Sequence, residues 1–442
     1  MWFHEVFLSV ALFPNSPLPR NPHLAMRAVV AVCVALLAVS ASAYVSFDGD
    51  IVYRVSVPTA SEAARLGDVI EELRLDQWSE SKELGQVDVR VPSARLADFA
   101  RLNFDSEVLI ADLQERTVAE RNRIAKRARK FTSSNLNEFF DDYHTYDEHV
   151  DFLTELSIQY PDITELTSIG TTYEGREIVA LRITGGNAKK GFFFNGGQHA
   201  REWIGPATVA GLAYNLVSQY GQDANVTRYV DEIDWTIVTV LNPDGYEYTW
   251  TNDRMWRKNR EPTAGATCIG TDVNRNWEYK WGTGGSSSMP CSDTYMGPSA
   301  MSAAENSAVD AYLRKQIADG LEVDAYIDFH AYSQLWMHPW GYTCDALTAD
   351  DEIQQIVDDA AVGAIYDTGY NTRYTTGPVC RTIYQASGGS NDHTYSLGIK
   401  FSFAVELRDT GRYGFELPAE QIVESIEETW EGLKVVADYV LA

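Results

Sequence analysis

The sequence FFFNGGQHAREW, residues 192–203, is the stretch around which the rest of the chain is organised. Its phenylalanines are typical of the end of a buried strand, and the glycines after Asn195 allow a sharp turn. Beyond the turn, His199 and Glu202 stand three residues apart, a spacing at which both side chains can reach one cation. Such a pair is weak evidence alone. It gains weight here because open α/β sheets place their sites at the ends of strands.

The composition is that of a folded, acidic protein. Of the 442 residues, 45% are hydrophobic and 12% aromatic, which indicates well-packed domains, two or three at this length. The net charge of −27 argues against a nucleic-acid partner, because nothing would neutralise the phosphates. Solubility is the simplest explanation of the acidity.

Residues 26–43, MRAVVAVCVALLAVSASA, are typical of a secretory signal peptide. The apolar core is too short for a comfortable membrane span, and its last residues fit a cleavage site after Ala43. We therefore expect residues 1–43 to be a leader, with Met26 as the true start unless the longer leader is used. The leader implies secretion to an oxidising, extracellular destination, with no membrane partner.

The cysteines agree with that destination. Cys33 lies in the leader, which leaves Cys268, Cys291, Cys344 and Cys380, an even number consistent with two disulfides. Counting alone leaves their pairing open. No Cys-x-x-Cys pair is present, which argues against a thiolate zinc site.

Residues 44–114 predict a small α+β domain. The expected elements are a strand at 51–57, a helix at 61–75, a strand at 87–91, a helix at 92–102 and a strand at 107–113. This order predicts a ferredoxin-like sandwich, with another strand near Trp78.

The segment 115–130, ERTVAERNRIAKRARK, is expected to be a basic helix. It could be only a solvated helix face. A small domain in front of a large one in a secreted chain instead favours a connector, cut by a trypsin-like protease after Arg127, Arg129 or Lys130.

Residues 131–442 alternate strands and helices, which predicts an α/β domain: a mostly parallel mixed β-sheet with helices on both faces. The expected strands are 177–183, 191–195, 233–241, 323–329 and 399–405, and the expected helices include 148–160, 205–220, 303–316 and a last helix that begins near Ile422. His330 and Glu406 follow two of these strands, and Asn242-Pro243-Asp244-Gly245 after 233–241 predicts a turn. Such convergence is what one crevice at the sheet edge needs.

A series of motifs follows in order along the chain: HAREW (199–203), NPDGY (242–246), RMWRK (254–258), DVNRNW (272–277), HAYS (330–333), IYQASGGS (383–390) and ELRDTGRY (406–413). Taken together, these motifs resemble the secreted zinc metallocarboxypeptidases of the pancreatic A/B type, which have an N-terminal activation domain. The resemblance runs from the propeptide to the C-terminus. It implies the zinc carboxypeptidase fold for 131–442, an activation propeptide at 44–114, and removal of single residues from the C-termini of peptides and proteins.

The resemblance also implies the chemistry of the site. His199, Glu202 and His330 are expected to hold one zinc ion and to leave one position open for water. Zinc lowers the pKa of water towards neutrality, and Glu406 is the expected general base, which later protonates the leaving amine. Asp272 is expected to orient His199.

The implied substrate site reads a free terminal carboxylate. Asn274 and Arg275 are the expected clamp, Arg257 stabilises the oxyanion, and Tyr384 closes over the substrate. The residues expected to line outer subsites are Arg201, Arg254, Tyr332 and Phe415. The resemblance pairs Cys268 with Cys291 and Cys344 with Cys380.

Asn391 is the implied floor of the pocket for the C-terminal side chain. Basic-specific members carry an acidic residue there and aromatic- or aliphatic-specific members an apolar one, so Asn391 fits neither class. The residues expected around it are Met337, Val379, Ala386 and Ala404. A lysine or arginine would enter this pocket unpaired, so we expect a preference for neutral, bulky or apolar C-terminal residues.

The sequence therefore predicts a secreted, monomeric zymogen that a trypsin-like protease activates. One rival is a non-catalytic peptide-binding protein, which would be expected to lose the zinc ligands or the base; all are present. The other is a processing carboxypeptidase of the regulatory branch. That branch lacks an activation domain and has an extra C-terminal β domain, the reverse of this chain.

Overall fold

The structure, a computed structural model, describes residues 44–81, 85–126 and 136–442. The expected leader at 1–43 and the expected cleavage positions Arg127, Arg129 and Lys130 lie outside the described residues. Val45–Ala442 form one compact unit. No helix in the described part of the chain is long and apolar enough to cross a membrane.

The N-terminal domain has a four-stranded antiparallel sheet within its described residues. Its elements are β1 (Ile51–Ser56), α1 (Ala60–Leu73), β2 (Asp76–Ser81), β3 (Gln86–Val91), α2 (Leu96–Arg101), β4 (Ser106–Ile110) and α3 (Leu113–Lys126). The order β2-β3-β1-β4 is that of the expected ferredoxin-like sandwich. Apolar residues on β3, such as Val89, pack with Leu66 and Val69 of α1.

Several boundaries in this domain differ from the sequence-based expectation. The helix expected from residue 92 begins as a 3₁₀ turn at Ser93–Arg95 and becomes α-helical at Leu96. Helix α1 ends at Leu73 because Arg74 takes a left-handed conformation with φ 53°. The strand expected to reach residue 113 ends at Ile110, and Leu113 begins α3 instead. Helix α3 carries residues 115–126 of the basic segment.

The C-terminal domain is built on a mixed sheet, eight strands wide in the described residues, in the order β11-β10-β12-β9-β7-β8-β6-β5. The strands are β5 (Thr164–Thr171), β6 (Glu177–Ile183), β7 (Lys190–Gly196), β8 (Ile233–Val238), β9 (Glu322–Ala331), β10 (Leu335–His338), β11 (Thr375–Pro378) and β12 (Phe401–Leu407). The central strands β12, β9, β7 and β8 are parallel. Periodicity misses β5, β10 and β11, because β10 and β11 have only four residues and β5 contains a bulge.

Helices cover both faces of this sheet, as predicted. They are α4 (Tyr146–Gln159), α5 (Ile204–Gln219), α6 (Ala224–Glu232), α7 (Pro243–Thr251), α8 (Ala304–Ala318), α9 (Asp351–Asp367), α10 (Val379–Thr382), α11 (Ser390–Ser396) and α12 (Ile422–Val440). Phe192 and Phe194 belong to the core shared with α5 and α12, whereas Phe193 belongs to the core shared with α8. The phenylalanine run is therefore buried on both faces.

The turn expected at Asn242-Pro243-Asp244-Gly245 is wrong, because this segment begins helix α7. The Asn242 side chain accepts a hydrogen bond of 2.9 Å from the Gly245 amide and caps the helix, with Pro243 in its first turn. The structure contains both disulfides that the resemblance implies, Cys268–Cys291 and Cys344–Cys380.

Candidate metal and peptide-binding site

Three metal-binding side chains meet at the carboxyl edge of the sheet. His199 and Glu202 lie between β7 and α5, and His330 lies in β9. All are buried, and one ligand atom of each lies within 4.8 Å of the others. The Nδ1 atoms of His199 and His330 are 2.8 and 2.9 Å from the two carboxylate oxygens of Glu202. Two imidazoles and a carboxylate are a donor set that suits zinc with one open position.

The glycines before His199 are required by close packing. A Cβ at Gly196 would lie 2.7 Å from the backbone carbon of Gly205, at the start of α5. Gly197 has φ 66°, which a residue with a side chain rarely adopts. The turn can therefore bring His199 back over the end of its own strand.

A carboxylate stands behind each histidine. Asp272 Oδ1 is 3.1 Å from His199 Nε2, and Asp328 Oδ2 is 2.7 Å from His330 Nε2. Asp272 also pairs with Arg257 at 2.9 Å. Asp272 is expected from the sequence, whereas Asp328 is not. The available signal was strand alternation, which puts residues 328 and 330 on one face of β9.

Glu406 lies beside the histidines, on β12, where it pairs in register with His330 of β9. Its Oε2 is shielded from solvent and has no hydrogen-bond partner among the described residues. Burial and the charge of Glu202 raise the pKa of Glu406 to about 8. A carboxyl group in this range can exchange protons near neutral pH.

Two arginines face the same centre with different partners. The Nη1 of Arg257 is 4.0 Å from Glu202 Oε1, close to the metal ligands. Arg275 is buried, and its Nη2 lies 3.4 Å from the Tyr384 hydroxyl. Within the described ranges, no carboxylate pairs with Arg275. Its planar fork therefore stays available for a carboxylate from outside the chain.

Asn274 is held beside Arg275 and the metal ligands. Its Oδ1 accepts a 2.9 Å hydrogen bond from the Ser390 amide, and its Nδ2 lies 3.0 Å from His330 Nε2. The structure thus brings together the residues that the sequence analysis assigned to the metal, the base and the carboxylate clamp.

Arg201 and Arg254, both expected to line outer subsites, form ion pairs with the N-terminal domain. Arg201 is fully buried and its Nη1 donates to Asp76 Oδ1 at 2.8 Å. Arg254 donates from Nε to Glu120 Oε2 at 2.6 Å. Although burial opposes it, the nearby Arg201 and Arg90 hold the pKa of Asp76 below its ordinary value.

The other two expected subsite residues contact the same domain. The hydroxyl of Tyr332 donates to Asp88 Oδ2 at 2.8 Å, and the ring of Phe415 lies 4.9 Å from that of Trp78. The N-terminal domain therefore contacts all four side chains.

The expected specificity pocket is partly apolar. Met337, Val379 and Ala404 belong to one buried cluster, which Ala386 does not join. Asn391 is 4% exposed, and no described residue accepts a hydrogen bond from its Nδ2. The neighbouring carboxylate, that of Asp392, accepts hydrogen bonds from the backbone amides of Gly341 and Tyr342.

Known protein families, relatives and solved structures resemble this chain over both of its domains. The model of the family described as zinc carboxypeptidase matches residues 149–432, and that of the carboxypeptidase activation peptide matches residues 53–120. Carboxypeptidase A1 of Homo sapiens is 38% identical over 426 residues, covering 94% of this chain and 99% of its own. Carboxypeptidase A2 of Mus musculus is 39% identical over 376 residues, covering 84% and 88%. The crystal structure of carboxypeptidase A from Helicoverpa armigera superimposes with a TM-score of 0.81 at 30% identity, covering 89% of this chain and 98% of its own.

Proposed function

The chain belongs to the zinc carboxypeptidase family and carries its activation peptide, and from this premise we propose that it is the secreted zymogen of an A-type carboxypeptidase. The observation that carries the proposal is the buried guanidinium of Arg275, which no described carboxylate pairs, next to a cluster of metal-binding side chains. An enzyme that removes the last residue of a peptide needs both features in one crevice.

His199, Glu202 and His330 would hold the zinc ion, and Asp272 would keep the His199 ring oriented. A bound zinc ion supplies an electrophile that polarises a carbonyl and acidifies water. Glu406 then takes the water proton and returns it to the leaving amine. Its shielded oxygen without a protein partner supports this role.

The remaining groups hold the substrate. Arg275 and Asn274 bind the terminal carboxylate, and Tyr384, whose hydroxyl lies 3.4 Å from Arg275 Nη2, closes over the bound residue. Arg257 donates to the oxygen that becomes negative in the transition state; the loss of one such donor typically costs roughly 10²–10³ in rate. Its other side stays bound to Asp272.

The proposed preference is for neutral, bulky or apolar C-terminal side chains. An entering ammonium or guanidinium would meet the Asn391 amide and apolar neighbours, and it would lose its hydration without gaining a carboxylate. This is the physical basis of the A-type assignment.

Latency follows from the contacts of the N-terminal domain. This domain contacts the side chains proposed to bind the preceding residues of a substrate, through Asp76, Glu120, Asp88 and Trp78. A trypsin-like protease that cuts within 127–130 would free this surface. We further propose that the protein is secreted and acts as a monomer.

The test uses the full chain before and after trypsin treatment, with peptides that differ only in their last residue. We expect activity only after trypsin, faster release of Phe or Leu than of Lys, and complete loss with a zinc chelator. Equal activity without trypsin would refute latency, equal release of Lys would refute the pocket, and resistance to chelation would refute the metal mechanism.

A further inference from the structure

Asp328 is a buried carboxylate behind His330. It is 0% exposed, and its Oδ2 lies 2.7 Å from His330 Nε2. Oδ1 accepts a hydrogen bond from Asn195 Nδ2 at 2.7 Å, and Oδ2 accepts one from the Ser390 hydroxyl at 2.7 Å. The Gln198 side-chain amide also donates to Oδ2. Donors from β7, the loop after it and α11 thus fix the carboxylate from several sides.

These donors differ from those around the other aspartate. Asp272 shares its charge with the guanidinium of Arg257, whereas no Lys or Arg in the described segments pairs with Asp328. Neutral amides and a hydroxyl hold Asp328 in place but leave its charge uncompensated. In a buried setting of low dielectric, that charge acts strongly on the ring of His330, whose Nε2 is 2.7 Å away.

The direction of the hydrogen bond follows from the metal side of the ring. Nδ1 of His330 faces Glu202 and must be free of a proton to bind a metal, so Nε2 carries the proton. The Asn274 amide nitrogen near Nε2 is itself a donor and cannot accept this proton, and Asn274 Oδ1, which could accept it, is turned to the Ser390 amide. The acceptor is therefore Asp328, and a carboxylate acceptor makes the ring a stronger metal donor.

We propose that Asp328 is a second positioning residue of the metal centre, which orients His330 and strengthens its bond to zinc. The proposal rests on the proposed function, because it takes these ligands to hold zinc. The two aspartates divide the work: Asp272 serves His199 and Arg257 together, and Asp328 serves His330 alone.

The test compares Asp328→Asn with the wild-type full chain, by chelator competition for zinc and by the absorption spectrum of the cobalt(II)-loaded protein. We expect the dissociation constant for zinc to rise roughly 10–100-fold and the cobalt bands to shift. Asp328→Ser is a second variant, because its small hydroxyl can still accept the ring proton without supplying a charge; it should also bind zinc more weakly. Thermal unfolding of the metal-free proteins checks folding.

Asp234→Asn is the matched control. Asp234 is a buried carboxylate of the same sheet, and it pairs with Arg182. It lies near the amino end of β8, so its loss should leave zinc affinity unchanged. Wild-type zinc affinity and cobalt spectra in a folded Asp328→Asn or Asp328→Ser protein would overturn the proposal. A wild-type chain that binds zinc tightly but hydrolyses no peptide would refute the proposed function and leave this inference standing.

Discussion

The metal centre and the surface under the N-terminal domain are both clusters of buried charge, but their partners come from different places. At the metal centre, the carboxylates Asp272 and Asp328 belong to the same domain as the histidines they hold. Under the N-terminal domain, Arg201 and Arg254 take their closest carboxylates from the other domain. Under the proposed activation by cleavage, the metal centre would persist, whereas the surface under the N-terminal domain would exchange its partners for substrate.

The largest effect should come from Glu406→Gln, which tests the metal centre. We expect the hydrolysis rate after trypsin treatment to fall by at least ~10²–10⁴-fold, because the amide cannot take a proton, while zinc content stays equal to that of the wild type. Glu305→Gln is the control, since Glu305 is a buried carboxylate bound to Asn259 and outside the site. Near-normal activity of Glu406→Gln would remove Glu406 from the mechanism.

The next largest effect should come from Asp76→Asn, which weakens the contact between the N-terminal domain and the surface under it. Asp76 and Arg201 are both buried, and the loss of one partner of a buried pair costs about 3–5 kcal/mol. A loss of about 1.4 kcal/mol in docking is already tenfold in the open population, so basal activity of the uncleaved chain should rise by roughly tenfold or more.

Asp98→Asn is the control for this change, because Asp98 lies in the same domain and forms exposed pairs with Arg101 and Arg95 of that domain. Its basal activity should stay at the wild-type level. If the basal activity of Asp76→Asn also stays at the wild-type level, the ion pair of Asp76 with Arg201 does not hold the N-terminal domain in place.

A smaller change is expected at the pocket. Asn391→Asp should favour C-terminal Lys or Arg over Phe by roughly tenfold or more, because a charge-assisted hydrogen bond contributes about 1.5–3 kcal/mol. The ratio of kcat/KM values for two peptides that differ only in that residue measures this. Asn225→Asp, at an exposed asparagine, is the control. An unchanged ratio would mean that Asn391 does not floor the pocket.

The smallest effect concerns pH. Burial and the charge of Glu120 raise the pKa of Glu416 to about 8, although Arg254 and Arg116 oppose this. The folded chain then binds more protons at Glu416 than the unfolded chain does, so this group lowers stability as pH rises from about 5 to 8. Glu416→Gln should flatten that part of the curve of Tm against pH.

Glu420→Gln, at an exposed glutamate, should leave the curve unchanged. Parallel curves for the wild type and Glu416→Gln would show that the pKa of Glu416 in the folded chain is not raised.

The same comparison explains what could be predicted from the sequence. His330 and Glu406 could be found because they come at the carboxyl ends of two apolar strands that share one sheet edge, and the resemblance gave their roles. The strands run further than expected, so both residues lie near the ends of β9 and β12 and do not follow them. Asp328 was missed because it lies two residues before His330 in the same strand, where a single acid gives no such signal. The pairing of Asp76 with Arg201 could not be predicted, because no local pattern links residues 125 positions apart. Edge strands such as β10 were too short for periodicity to detect.

Zinc content and peptide hydrolysis, measured on one sample of the full chain before and after trypsin cleavage, test the central claim most directly. We predict one zinc ion per chain at both stages and a hydrolysis rate that rises from near zero only after cleavage. Zinc that binds only after cleavage would contradict a metal centre that is complete in the uncleaved chain. Full activity before cleavage would contradict an N-terminal domain that blocks the substrate surface.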